Sequence, residues 1–393
     1  MSRALRRLPP TLEANPWARR VTMRRDAGDA LIDLTVSNPT RVGLTLASTE
    51  TLQTLTDPKG FDDRPEPRGL SSAREAVASY YAARGTPVDR EAIVLTSGTS
   101  ESYAHLFRLL AEPRDVVLVP SPGYPLIEPI AQLEGLEVHH YRLAWDGAWH
   151  LDLGALDKAL DMAGARAKAV VVIEPNHPTG TCLSSEEREA LEARLESRGL
   201  ALISDEVFAD FPWPPRREGF AGWLGDRRVP TFVLGGLSKC CGLPQLKLGW
   251  IALAGPRARV GALLDRLEWI ADLFLTVNAP AQHALPTLLE GRAPYQARVR
   301  ERLAINLAAL ADFARQHPEA TALGGGGGWS VVLRLPSAPV NDWALALLER
   351  DVIVHPGHFY DLEQDGAIVP SLIPERATFA AGIQRIAEVL SAI

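Results

Sequence analysis

Lysine is scarce in this 393-residue chain: of 41 basic side chains only Lys59, Lys158, Lys168, Lys239 and Lys247 are lysine. Lys239 stands out, because Leu-Ser-Lys-Cys-Cys-Gly-Leu gives its ammonium little polar company. A partly desolvated lysine has a lowered pKa, which makes it a nucleophile able to form a Schiff base with a carbonyl compound. Three other segments carry chemistry. Asp205, in Ala-Leu-Ile-Ser-Asp-Glu-Val-Phe, is a carboxylate directly after an apolar run. Buried there it is costly unless paired, so a metal, a ribose or a protonated ring nitrogen are its candidate partners. Pro175-Asn176-His177-Pro178-Thr179-Gly180 reads as a rigid turn that presents Asn176 and His177, with a cis peptide expected before Pro178. The run Thr96-Ser97-Gly98-Thr99-Ser100-Glu101 places small residues at a helix start, where backbone N–H groups surround an anion.

The elements that position these residues follow from hydrophobic patterning. Short apolar, β-branched runs at 92–96, 116–120, 137–143, 169–174, 201–204, 231–234 and 248–254 alternate with helix-length segments. Continuous apolar runs of this kind are strands buried on both faces, and their alternation with helices predicts a mainly parallel sheet of seven strands flanked by helices. All four chemical segments then fall at strand carboxyl ends, where open α/β sheets bind ligands. Beyond Pro256 the pattern changes to helices over 257–290, broken near Asn278, and over 294–317. A glycine run (Gly324 to Gly328), a strand over 329–335, a helix over 341–350, a short strand over 352–354 and a helix over 374–391 complete a smaller α+β unit. Three parts are expected: an arm (1–45), a large α/β domain (46–285) and a small C-terminal domain (286–393) that packs with the arm. The glycine run lacks the Gly-Lys-Ser/Thr ending of a P-loop and reads as a flexible entrance to a strand.

Composition narrows the function classes. The net charge of −7 argues against nucleic acid as the main partner. No apolar run reaches the roughly 18 residues of a membrane span. Three cysteines (Cys182, Cys240, Cys241), without metal spacing, and a basic start with no apolar segment after it point to a reduced, cytoplasmic protein. His355 and His358 flank a Pro-Gly turn with no accompanying ligand cluster, so no metal is expected.

In their order and spacing, Ser-Gly-Thr-Ser, Pro-Gly-Tyr-Pro, Pro-Asn-His-Pro-Thr-Gly, Asp-Glu-Val-Phe, Ser-Lys and Lys-Leu-Gly resemble the fold-type I pyridoxal-5′-phosphate enzymes of the class I/II aminotransferase group. The resemblance runs from about Asp33 to the C-terminus. It implies a pyridoxal phosphate cofactor and a homodimer with shared active sites. It implies that Lys239, beside Ser238, is the Schiff-base lysine and shuttles a proton, that Asp205 pairs with the pyridine nitrogen and that Tyr124 stacks on the ring. Gly98, Thr99 and Ser100 would hold the phosphate, and Asn176 or His177 the ring hydroxyl.

The departures from the family bear on substrate. Phe208 stands where a ring-bonding Tyr is usual, Gly236 where a phosphate-binding Ser or Thr is, and Lys247 where an Arg is. Arg64 replaces a Tyr that reaches the neighbouring subunit's phosphate. Val369 takes the place of the Arg that clamps the substrate carboxylate. Arg376, Arg41 and Asn38 are the candidates for that task, or the substrate is an amine without a carboxylate. The expected activity is transfer of an amino group from an amino acid or amine to a keto acid or aldehyde. Decarboxylation, elimination, replacement or oxidation on the same cofactor is the alternative, and a non-catalytic binder is the remote one. Trp213 and Trp329 are candidates either for a pocket wall or for plain core packing.

Overall fold

The computed structural model describes residues 7–8, 14–46, 49–62, 64–214, 222–275, 277–337, 342–362 and 366–392. Each expected apolar run forms a strand of one large sheet. Across the sheet the order is Ile93–Thr96, Gly249–Ala254, Thr231–Gly236, Ala201–Asp205, Ala167–Ile173, Val116–Ser121, Glu137–Trp145 and Trp149–Leu151. The five strands from Thr231–Gly236 to Glu137–Trp145 are mutually parallel. Gly249–Ala254 runs antiparallel to both its neighbours. The eighth strand, Trp149–Leu151, is an antiparallel hairpin addition at the edge.

Both faces of the sheet are covered. Val94, Val117, Ile203 and Phe232 pack under the helices Thr99–Leu110 and Arg257–Leu273. Leu118, Leu202 and Val233 pack on the other face under Ser71–Ala83 and Ala279–Glu290. Asn278 caps the latter helix by accepting from Ala281 N, which accounts for the break read near that residue.

A second sheet, antiparallel throughout, has the order Thr321–Leu323, Val332–Arg334, Ala367–Val369 and His355–Pro356. The arm joins it. Ile32–Asp33 pairs in parallel with Val352–Ile353, and Leu34, Val42, Trp329 and Phe379 share one apolar cluster. The expected helices appear as Ala293–Gln316, Trp343–Leu348 and Arg376–Ser391. Asn341, the expected start of the middle one, lies outside the described residues. Among the described residues no helix is long and apolar enough to cross a membrane.

The glycine run is not the flexible entrance that its composition suggests. It is clamped between two site-forming loops. Gly326 N and Gly327 N both donate to Gly180 O, Gly328 N donates to Phe211 O, and Trp213 N donates to Gly326 O. Backbones approach so closely that a Cβ on Gly325 would sit 2.2 Å from Gly180 C. Gly325→Ala is therefore expected to destabilise the protein by about 1–3 kcal/mol. At Gly324 the nearest atom to such a Cβ is 3.8 Å away. Gly324→Ala should accordingly leave the thermal midpoint nearly unchanged in the same denaturation series.

Candidate active site

One cavity gathers the chemical segments at the carboxyl ends of the large-sheet strands. Its floor and one end are Gly98, Thr99, Asp205, Gly236, Ser238 and Lys239. Its other walls include Tyr124, His177, Phe208, Trp329, Ser330 and Ser37. Each part arrives on a different strand end. Asp205 closes Ala201–Asp205, and Lys239 follows Thr231–Gly236 in the short helix Leu237–Cys240. His177 follows Ala167–Ile173, Tyr124 follows Val116–Ser121, and Gly98 follows Ile93–Thr96.

Asp205 is 3% exposed and is fixed by two donors. Tyr103 Oη donates to Oδ2 at 3.0 Å and Val207 N donates to Oδ1 at 3.2 Å. Burial raises its pKa to about 6, while these hydrogen bonds and the Lys239 charge pull the other way. Lys239 Nζ donates to Ser37 O at 3.3 Å and stands 4.9 Å from the Trp329 ring centre and 5.4 Å from that of Phe208. Burial lowers its pKa to about 8, against the pull of Asp205. A fair fraction of this amine is thus neutral near physiological pH, the state in which it can attack a carbonyl carbon or take a proton.

The turn at 175–180 points its two polar residues in different directions. The His177–Pro178 peptide is cis. Asn176 is turned into the loop: its Oδ1 accepts from Thr179 N (3.3 Å) and Thr179 Oγ1 (2.8 Å), and its Nδ2 donates to Pro122 O (3.4 Å). His177 faces the cavity, with Tyr124, Phe208 and Tyr360 rings around it at 6.0, 5.9 and 5.1 Å. Burial first, then the Lys239 and His355 charges, hold its pKa at about 3, so its imidazole is neutral.

The remaining expected site residues divide. Gly98 caps the helix Thr99–Leu110 at φ 138°, and the space that a Cβ would fill there is open. The N–H groups of Thr99 and Ser100 belong to its first turn, where no intrahelical acceptor exists. Phe208 is a cavity wall, as its lack of a hydroxyl allows. Lys247 is exposed in a left-handed backbone conformation and does not line the cavity. Arg64 is exposed and paired to Asp62 at 2.7 Å. Asn38 spends its Oδ1 on Thr40 N and Oγ1, and Arg41 is exposed beside it. Arg376 is exposed at the first position of the last helix. Neither arginine nor Asn38 lines the cavity. Val369 lies in the last strand opposite His355, 1% exposed. Sequence reasoning missed Tyr103, Ser37 and Ser330, and left Trp329 open. Trp213 is core: its Nε1 donates to Gly328 O at 2.7 Å.

The residues present fit pyridoxal phosphate. An open helix start with spare N–H donors suits a phosphate. A buried carboxylate lacking a cationic partner in direct contact suits a protonated ring nitrogen, and a neutral-leaning amine suits an aldehyde. Among the described residues there is no group of three or more His, Cys, Asp or Glu placed to hold a metal ion.

Comparison with known proteins agrees. Residues 30–381 match the family model for aminotransferase class I and II, whose members use pyridoxal phosphate. Glutamate-pyruvate aminotransferase AlaA of Haemophilus influenzae is 28% identical over 270 residues, 68% of this chain and 65% of that protein. Alanine aminotransferase of Mycobacterium bovis is 30% identical over 270 residues, 67% of this chain and 61% of that protein. The matches thus span a little under two thirds of these relatives' length. Among solved structures, an alanine aminotransferase from Pyrococcus furiosus superposes with a TM-score of 0.86 at 19% identity, covering 97% of this chain and all of that one. A double mutant of Thermus thermophilus aspartate aminotransferase gives 0.85 at 21%, covering 99% and 100%. At those identities the structures establish the shared fold. The family match, which runs through all but the chain's two ends, establishes more: the protein belongs to the class I and II aminotransferases.

Proposed function

We propose that the protein is a pyridoxal-phosphate-dependent aminotransferase. In the net reaction the donor's CH–NH2 becomes C=O and the acceptor's C=O becomes CH–NH2. The observation that carries this reading is the convergence of Lys239 and Asp205 in one cavity with Tyr124, His177 and the helix start at Thr99. Bound there, pyridoxal phosphate supplies an electron sink for the amine-bearing carbon. Lys239 Nζ anchors the cofactor and moves the proton at that carbon. Asp205, positioned by Tyr103, holds a positive charge on the ring nitrogen. Tyr124 packs on the ring, and His177, a neutral hydrogen-bonding group, takes the ring hydroxyl. Thr99, Ser100 and Ser238 hold the phosphate, with Gly98 leaving room for it. Phe208 and Trp329 exclude water from the amine.

The same reading makes the working unit a homodimer in the cytoplasm. Trp269, Leu273, Phe274 and Leu275 form a run of exposed large apolar side chains at one helix end, and Phe61, close to Arg64, is exposed too. Such a surface suits a second copy. Arg64 would then reach the partner's phosphate and offset Lys247. Arg64→Ala is expected to weaken cofactor affinity about fivefold, equivalent to about 1 kcal/mol. Unchanged affinity in a cofactor titration would remove Arg64 from the site.

Absorbance spectroscopy tests the activity. Purified protein with pyridoxal phosphate should show a yellow band that an amino donor bleaches and a keto acid restores. A band that no donor bleaches would refute amino transfer.

A further inference from the structure

The geometry points to a particular donor class: a primary amine whose reacting carbon bears an apolar or aromatic group and no carboxylate, with Trp329 as the specificity-determining wall. This rests on the aminotransferase reading. Among the described residues lining the cavity, Lys239 is the one cation, and its charge faces Asp205. Apart from Asp205, the other described side chains lining the cavity are neutral. Trp329 and Phe208 meet edge to face, 5.5 Å between ring centres, and their centres lie 4.9 and 5.4 Å from the Lys239 amine. Val207 and Ser330 extend this wall. His177 is neutral, and behind it lie Tyr360 and His355, joined by a hydrogen bond of 2.8 Å. His355 pairs in turn with buried Val369. The last strand, Ala-Ile-Val, brings no cation next to His355.

Among the described lining residues a carboxylate desolvated here has only Lys239 to face, whose amine the reaction itself needs, and burying an unpaired charge is strongly unfavourable. An amine on an apolar body meets no such penalty, because the uncharged part of the molecule packs on the indole and phenyl faces. Trp329, 2% exposed, is firmly held at the edge of the cavity. The clamped glycine run leads straight into it, and Phe211 packs on its far side at 5.1 Å.

Two measurements on the full-length, cofactor-loaded protein test the assignment. Calorimetry with 3-phenylpropanamide and 3-phenylpropionate, which carry no amino group, reads the cavity's charge preference without turnover. The amide is expected to bind at least tenfold tighter. A carboxylate bound equally or more tightly would overturn the assignment, and would show that neutral donors such as the unpartnered Trp329 Nε1, or a partner subunit, replace the missing cation. Turnover with 2-phenylethylamine against L-phenylalanine isolates the carboxylate in a donor. The amine should have the larger kcat/KM by tenfold or more. Faster turnover of the amino acid, or turnover of neither while another donor bleaches the yellow band, overturns the donor class alone, whereas a band that no donor bleaches overturns the aminotransferase reading together with it. In Trp329→Ala, KM should rise at least tenfold more for 2-phenylethylamine than for n-propylamine. Equal losses on both amines would mark Trp329 as structural and remove it from the assignment.

Discussion

Lys239→Ala is expected to lower amino transfer by about three to four orders of magnitude, the upper range for a positioned proton-transfer group, and to abolish the yellow band. The expectation follows from where the amine stands. Its one hydrogen-bond acceptor among the described residues is the Ser37 carbonyl, and its pKa of about 8 leaves part of it neutral. Lys239→Arg is the informative companion. It keeps a cation in the same place, yet a guanidinium stays protonated and has no amine to offer. If charge alone mattered, arginine would rescue activity; the expected result is that it is as inactive as alanine. Both proteins should keep the wild-type far-ultraviolet dichroism, because among the described residues the lysine contributes no ion pair that holds the fold.

The second large effect belongs to Asp205. Asp205→Asn preserves the side chain's shape: its Oδ1 can still accept from Val207 N, and its Nδ2 can donate to Tyr103 Oη, reversing that bond, so the strand end stays in place. What it removes is the negative charge that would face the ring nitrogen of the bound cofactor. Losing one preorganised electrostatic partner costs about 10²–10³ in rate. The expected result is a drop of that size in kcat/KM, read by steady-state kinetics, with the thermal midpoint held. A fall of less than threefold would mean that Asp205 faces no charge in the working site.

Much of this arrangement was legible in the residues themselves. Seven apolar β-branched runs marked seven strands, since a strand buried on both faces must be apolar throughout. Trp149–Leu151 was too short to show a period. Lys239 and Asp205 were visible because a charged residue in an apolar setting needs a chemical reason. The choice between Asn176 and His177 was not visible, because it depends on the direction in which the turn points each side chain. Asn176 satisfies the loop and so leaves the cavity to its neighbour. Polyglycine carries no period at all. Its role came from what lies against it, the Gly180 carbonyl and Pro175, which are 145 or more residues away along the chain. Tyr103, Ser37 and Trp329 are likewise recruited from distant segments, and only the folded chain brings them to Asp205 and Lys239. Counting along the final strand did place Val369 rather than Arg376 at the last-strand position, and the helix starting at Arg376 agrees with that count.

The central claim is that this chain moves an amino group between two carbon skeletons. The most direct test supplies a ¹⁵N-labelled donor and an unlabelled keto acid or aldehyde acceptor, and follows the label by mass spectrometry. The account predicts that ¹⁵N appears in the amine formed from the acceptor, and that Lys239→Ala forms none. Label released as free ammonia, or a donor that loses carbon dioxide and keeps its nitrogen, would contradict it.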